Sequence, residues 1–462
     1  VNTLRGKLVG SLIAATVLLA IPSVASAASS TGPVKPCNGS VELCSRTLNN
    51  VVLPGSHNSM SAEELGWIHP NQTYSIPSQL KRGARAMLID TYYAKPDQSV
   101  PAAFKYKMFP PPSRENGSAA GATMYLCHVT CQWGASELIP EFRKVRDFLA
   151  KNPREVMVFV NEDNVTPSDF ARAVEESGLI DFTYKGSTEN WPTLQQMIDS
   201  NQRVVFLAEQ QAAGVDWYHK AYDGPLQETD YSFDRLPSKW GKDPAAPESP
   251  TYTGVDKLTD PALLARSCDP NRGDTSGDLF LMNHWVSGGL PLTPLAPDPA
   301  LAEVVNTRQV LVDRARACET VRGEMPTILA VDFFDIGDVV GAARELNGVE
   351  AKPFLTISRP RPARTRAGRV ARLRVTVSND GDGAASSLRI CATAPRRLVR
   401  RTSCRSVGTL QPGTRRTTVI SLRTSSRARG RGAVRILMRT SPRPLGTSTA
   451  LTVTPVRRAR GR

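Results

Sequence analysis

Apolar runs that each stop at a polar residue set the rhythm of the first 350 residues. VVLPGSHN, RAMLID, MYLCH and VMVFVNED end at His57 with Asn58, at Asp90, at His128, and at Glu162 with Asp163. The intervals between them are 33, 38 and 34 residues, each about one strand–helix unit with its loops. These runs predict strands at Val51–Leu53, Ala86–Asp90, Met124–Cys127 and Val156–Val160. RVVFLAE, DLFLMNHW and TILAVDFF predict three more, ending at Glu209, at Asn283 with His284, and at Asp332. Nearly all are continuously apolar, as strands buried on both faces of a parallel sheet must be.

Helical patterns fill many of the gaps. SIPSQLKRGAR reads as a short helix with Ser78 as a candidate cap. SELIPEFRKVRDFLAKNP carries Leu138, Ile139, Phe142, Val145, Phe148 and Leu149 at three-to-four spacing, stopped by Asn152-Pro153. SDFARAVEESG ends at Gly178, WPTLQQMIDSN follows, ALAEVVNTRQVLVDRARAC reads as one long helix, and DVVGAARELNG closes with Gly348 as its cap. Residues 94–121 and 211–275 lack periodicity and read as long loops. Strands alternating with helices, each carrying its polar residue at the C-terminal end, predict an α/β fold with a distorted (β/α) TIM-type barrel. A doubly wound sheet is the alternative, disfavoured because no glycine fingerprint follows the first strand.

After Pro353 the pattern switches to alternation. RLRVTVSND, SSLRICATA, RTTVISLRT, AVRILMRT and STALTVTP predict a small all-β sandwich, similar in composition to immunoglobulin-like accessory modules of secreted bacterial enzymes. The domain expectation is therefore a signal peptide at 1–27, a barrel at 28–350, a sandwich at 351–455 and a basic tail at 456–462.

Charge changes this picture once it is located. The chain carries a net +15, but residues 351–462 hold 27 of the Lys and Arg, only one of them Lys, against Asp380 and Asp382. Residues 1–350 hold 31 bases and 41 acids. The barrel is mildly acidic, which argues against a nucleic-acid substrate. The Arg-rich module is a candidate for attachment to an anionic surface, with a solvated charged surface as the competing reading. Arg5 and Lys7 before the apolar Leu8–Ala20, with Ala25-Ser26-Ala27 beyond, read as an export signal cleaved after Ala27. Eight cysteines suit an oxidising compartment and fall into neighbours: Cys37/Cys44, Cys127/Cys131, Cys268/Cys318 and Cys391/Cys404.

The ordered motifs LPGSHNSM, PNQTYSIPSQLKRGARAMLIDTYY, LCHVTC, NPREVMVFVNED and WPTLQQMIDSNQRVVF resemble the X domain of phosphatidylinositol-specific phospholipase C, over about residues 45–345. The resemblance implies a secreted phosphodiesterase acting on a phospholipid. His57 would be the general base on the inositol 2-hydroxyl and His128 the general acid on the departing glycerol oxygen, giving a cyclic inositol phosphate and diacylglycerol. Two imidazoles holding opposite protonation states near neutrality suit that exchange. The Ca²⁺-dependent branch implies Asn58, Asp90 and Glu162 as oxygen ligands to calcium. The eukaryotic pattern has a further acid where this chain has Leu88, with Asp163 as a candidate substitute. The metal-free bacterial branch has Arg where this chain has Asp90. Arg85, Glu209 and Asp332 are candidate substrate contacts, Asp332 also as partner to a histidine. His69 and His219 read as structural, and His284 is intermediate. Competing readings are a different phosphodiester (glycerophosphodiester, sphingomyelin or a surface polymer) and a non-catalytic barrel that binds phosphoinositol. A monomer is expected.

Overall fold

The computed structural model describes residues 35–96, 106–109, 123–229, 261–286, 296–379, 381, 383–439 and 445–456. The expected export signal and basic tail lie outside these residues. From Lys35 onward the chain forms one compact unit.

The first part is built on β1 (Leu53–Ser56), β2 (Ala86–Pro96), β3 (Tyr106–Phe109), β4 (Thr123–Leu126), β5 (Ser136–Glu137), β6 (Met157–Asn164), β7 (Val204–Ala208), β8 (Tyr218–Lys220), β9 (Leu226–Glu228), β10 (Leu279–His284) and β11 (Ile328–Val331). Eight of these run parallel in the order β8-β7-β6-β2-β1-β11-β10-β9. Alternate residues along a strand enter different cores, which explains why the runs are continuously apolar. Met157 and Phe159 join the outer core with Phe142, Val145 and Leu149 of the Leu138–Lys151 helix. Val158 and Val160 join the inner one with Leu88, Leu207, Leu281 and Ala330.

The sheet differs from the expected barrel in four ways. Among the described residues β8 and β9 are not paired, so hydrogen bonding leaves the curl open; both strands have only three residues. Those two strands also fall inside the stretch 211–275 expected to be a loop, because three residues are too few to show a period. Met124–Cys127 is not a parallel core strand: β4 runs antiparallel to the outer half of β2, with Thr91 opposite Leu126 and Tyr93 opposite Met124. β2 itself extends to Pro96 and pairs with β3, where a loop from residue 94 was expected.

The helices follow their patterns with local corrections. The first spans Ile76–Arg82 with Ser75, not Ser78, at its N-cap, and Gly83 in the left-handed region ends it. The expected long helix is two, Pro299–Val305 and Arg308–Arg322, broken at Asn306-Thr307. Asn306 is drawn out because its side chain donates to the Asp332 carbonyl at 2.7 Å. The last helix, Val339–Leu346, is capped by Asn347, with Gly348 at positive φ one residue on.

The C-terminal strands are β12 (Leu355–Ile357), β13 (Ala363–Arg366), β14 (Val370–Asn379), β15 (Ala385–Thr393), β16 (Ser403–Leu410), β17 (Arg415–Arg423), β18 (Gly430–Arg439) and β19 (Leu445–Thr454). They form a three-stranded sheet, β12-β14-β17, and a five-stranded sheet, β13-β19-β18-β15-β16. Leu373, Val375 and Ile420 from one meet Ile390, Ile436 and Val453 from the other in a single core, as the alternating pattern requires. All four cysteine pairs are disulfides in the expected pairing.

Candidate active site

The polar strand ends converge at the C-terminal mouth of the curled sheet. β1 is held between β11 and β2, and Gly55 permits it: a Cβ there would lie 3.0 Å from Ile328 Cγ2 and 3.2 Å from Ala86 Cβ. The chain then turns through Asn58 at φ 43°, a left-handed conformation that Asn tolerates better than most residues. The His57 amide donates to the Val331 carbonyl at 2.9 Å and the Ser59 amide to Leu88 at 2.8 Å. The turn is thereby tied to both neighbouring strand ends.

His57 and His128 are each paired with a carboxylate. His57 Nδ1 lies 2.9 Å from Asp332 Oδ1, and His128 Nδ1 lies 2.9 Å from Asp90 Oδ2. An aspartate accepting at Nδ1 makes that nitrogen the protonated one and leaves Nε2 for proton transfer. Both Nε2 atoms face the Asn58 amide nitrogen, at 3.0 Å from His57 and 3.3 Å from His128. The imidazole centroids are 6.4 Å apart. His128 is delivered by β4, folded back on β2: Cys127 donates to the Asp90 carbonyl, and the Cys127–Cys131 disulfide closes the following turn. Burial pulls the His128 pKa down, but the hydrogen bond and charge of Asp90, with the charges of Asp332 and Glu162, outweigh it and leave it raised.

Asp332 is further held by Asn71, whose amide donates to both carboxylate oxygens at 3.1 and 3.2 Å. The neighbouring Gln72 donates to the His57 and Val331 carbonyls and accepts from the Phe334 amide. Sequence reasoning passed over both residues, although they stand in the PNQ motif. Trp285 was also missed. Its ring stacks on His57 at 3.7 Å between centroids and 4° between planes.

A cavity of about 140 Å³ opens beside His57, lined by Asn58, Asp90, Glu162, Glu209, Arg272 and Trp285 among others, with Leu88, Val160 and Leu281 also in its wall. Arg272 organises its far wall. The guanidinium donates to Glu209 and Glu228 at 2.7 Å each and to Tyr222 at 2.9 Å, and lies over the Tyr222 ring. Asn283 completes this wall by donating to Glu228. Burial pushes Glu209 up to about 7 despite Arg272; burial would lower the Arg272 pKa, but Tyr222, Glu228 and Glu209 outweigh it and leave the pKa raised. Arg272 sits in a stretch without periodicity, so no pattern marked it.

Asn58, Asp90 and Glu162 are brought to the same cavity. Asp90 and Glu162 are direct neighbours on β2 and β6, and Glu162 is raised by burial and by the Asp90 charge. Asp90 engages His128 through one oxygen, and Glu162 takes Tyr92 and Asn164 on one oxygen. Among the described residues each carboxylate thus keeps one oxygen without a hydrogen-bond partner, and Asn58 keeps its amide oxygen. The donor chemistry suits a hard cation, resting on two carboxylates and an amide; among the described residues no cluster of three His, Cys, Asp or Glu is spaced to hold a metal. At Leu88 the cavity wall is apolar. Asp163 points elsewhere, accepting the Gln210 and Gln211 amides at 2.8 Å.

Arg85 is not brought to the site. It stands at the opposite end of β2, donating to Glu155 at 2.7 Å and to the Leu80 and Ala84 carbonyls, because the residue before a strand's first position lies a full strand length from its C-terminal end. His284 is buried behind the site, bonded to the Val305 carbonyl and facing Arg314; burial pushes its pKa down to about 3. His69 and His219 lie outside the cavity lining.

Comparisons with known proteins agree with the motifs. The family model of the PI-PLC X domain matches residues 115–237 and 254–347, a span that takes in His128, Glu162, Arg272 and Asp332 and begins after His57. An uncharacterized secreted protein of Arthroderma benhamiae is 26% identical over 68% of this chain and 64% of its own length. A PI-PLC X domain-containing protein 1 of the same fungus is 23% identical, over 68% and 90%. A PI-PLC X domain-containing protein of Arabidopsis thaliana is 24% identical, over 60% and 55%. The chain thus spans less than two thirds of two of these relatives. Together they support the PI-PLC X family for this chain. Four disulfides and a relative named as secreted are consistent with export. A CARDB domain from Pyrococcus furiosus is 14% identical over 23% of this chain and 99% of its own, but at a TM-score of 0.19 the likeness carries no argument.

Proposed function

We propose that the protein is a secreted, monomeric phosphodiesterase that cleaves phosphatidylinositol-type lipids by paired histidine acid–base chemistry. The observation carrying this reading is the pair of Asp–His couples whose Nε2 atoms face one amide, beside a polar cavity. A binding protein needs neither proton donor nor acceptor there. In the proposed reaction His57 Nε2 takes the proton of the head-group hydroxyl next to the phosphate, and that oxygen attacks phosphorus. His128, protonated and supported by Asp90, gives its Nε2 proton to the departing glycerol oxygen. The products are a cyclic head-group phosphate and diacylglycerol. Asn58, between the two rings, donates to a phosphate oxygen once substrate displaces it from the imidazoles. Arg272, Glu209 and Glu228 offer donors and acceptors to the hydroxyls of a polyol ring.

Calcium assistance is part of the proposal: Asn58, Asp90 and Glu162 are the residues that would hold the ion, which would offset charge on the phosphate.

The test is turnover of phosphatidylinositol, following the cyclic product, with sphingomyelin and glycerophosphodiesters as competing substrates. His57→Ala and His128→Ala should each lower kcat/KM by roughly 10²–10⁴-fold; unchanged turnover in either would overturn the assignment. A chelator should lower the rate, and calcium should restore it. No response would remove the ion and leave the histidine chemistry standing.

A further inference from the structure

We propose that the outer face of the five-stranded sheet is a docking surface for an anionic phospholipid bilayer. Its side chains are placed by register. The inward positions of β18, Val434, Ile436 and Met438, are buried, while Arg431, Arg435, Leu437 and Arg439 alternate with them and are exposed. Their cross-strand neighbours share that outer face. Arg431 and Arg364 lie abreast across Thr452; Arg435 stands between Thr393 and Ser448; Arg439 is directly opposite Arg389. Arg366 follows two residues after Arg364 on β13.

The face therefore presents six arginines among small Ser and Thr side chains, and no Asp or Glu. None of the six has a carboxylate partner among the described residues. The fold itself gains nothing from this arrangement, since like charges directly opposite on neighbouring strands destabilise a sheet. An external polyanion would reverse that sign.

Two features favour a bilayer over a soluble polymer. A broad sheet face offers a plane rather than a groove, and guanidinium groups bind phosphate through paired N–H donors. At its middle stands Leu437, 46% exposed, between Cys391 and Gly446, placed to enter the interfacial region once the arginines engage head groups. The choice of a lipid rests on the phospholipid reading of the cavity.

The test is co-sedimentation of the full chain with phosphatidylcholine vesicles, with and without phosphatidylglycerol. Binding should require phosphatidylglycerol and fall with added salt. The double variant Arg389→Glu/Arg435→Glu should weaken it by roughly tenfold or more, since each basic residue near such a surface contributes separately. Arg372→Glu/Arg374→Glu, on the outer face of the other sheet, should change it little. Equal loss in the two doubles would overturn the assignment of this face, and so would binding to phosphatidylcholine alone. Leu437→Ser should weaken vesicle binding and leave binding of soluble polyphosphate unchanged; tighter binding of polyphosphate than of vesicles would overturn the bilayer as partner. Both Arg doubles should turn over soluble short-chain phosphatidylinositol at the parent rate. Failure of that turnover in the parent chain would overturn the catalytic reading alone, with the vesicle arms still deciding the docking face.

Discussion

Each imidazole of the candidate site is set by what touches its far side. Asp90 holds His128 in one tautomer and, with the charges of Asp332 and Glu162, outweighs the burial that would strip its proton. In the proposed reaction His128 works while protonated, so a raised pKa would carry activity to higher pH. Asp90→Asn removes the charge that raises it, and the basic limb of the kcat/KM profile should move to lower pH, with roughly a ten- to hundredfold loss at the optimum. An unmoved limb would mean that another group is the acid. Trp285 stacks on His57 and would act by positioning it, confining the ring to the plane in which Nδ1 meets Asp332. Trp285→Ala should lower kcat by roughly ten- to a hundredfold, and Trp285→Phe should restore most of it. A fall in thermal stability with kcat intact would assign the tryptophan to packing alone.

At the scale of elements, the site is a consequence of strand register. β1, β2, β6 and β11 are in parallel register, so Ser56 and Val331 are opposite each other and Asp90 faces Glu162. β4 supplies the exception, since its antiparallel return over β2 carries His128 to the same rim from the other direction. The Arg308–Arg322 helix is clamped by Cys268–Cys318 to the turn that follows the Pro261–Arg266 helix, joining residues 50 apart in sequence. In the loop-entropy account that cross-link contributes roughly 4 kcal/mol, against about 2 for the four-residue Cys127–Cys131 loop. Replacing both Cys268 and Cys318 with Ser should therefore lower Tm more than replacing Cys127 and Cys131. The second pair of changes should instead fall mainly on turnover, through His128. Thermal melts and kinetics of the two double variants separate these effects.

On the scale of the whole molecule, charge is divided as function would use it. The cavity is lined by Asp90, Glu162, Glu209 and Glu228 with one guanidinium, while the C-terminal sandwich carries arginine on its outward positions. Salt should dissociate the chain from anionic vesicles while sparing turnover of soluble substrate, because exposed charges are screened and the buried carboxylate–imidazole couples are not. Among the described residues no helix is long and apolar enough to cross a membrane.

Much of this was legible in the chain alone. Continuous apolar runs specified strands buried on both faces, alternation specified the sandwich, and His57, Asp90, His128, Glu162 and Asp332 were marked by their place at run ends. These are local signals, since side-chain period and strand ends are written over a few neighbouring residues. Folding alone decided which histidine each carboxylate touches. Asp90 became the partner of His128 and Asp332 that of His57, across 38 and 275 residues, and Arg85 was carried to the wrong end of its own strand. Asn71, Gln72 and Arg272 joined the site from segments with no period to read, and Trp285 from the residue just past β10. The short strands β8 and β9 likewise left the curl open where the pattern foretold a ring. Contacts between residues far apart in sequence depend on how whole elements pack, and no local pattern encodes them.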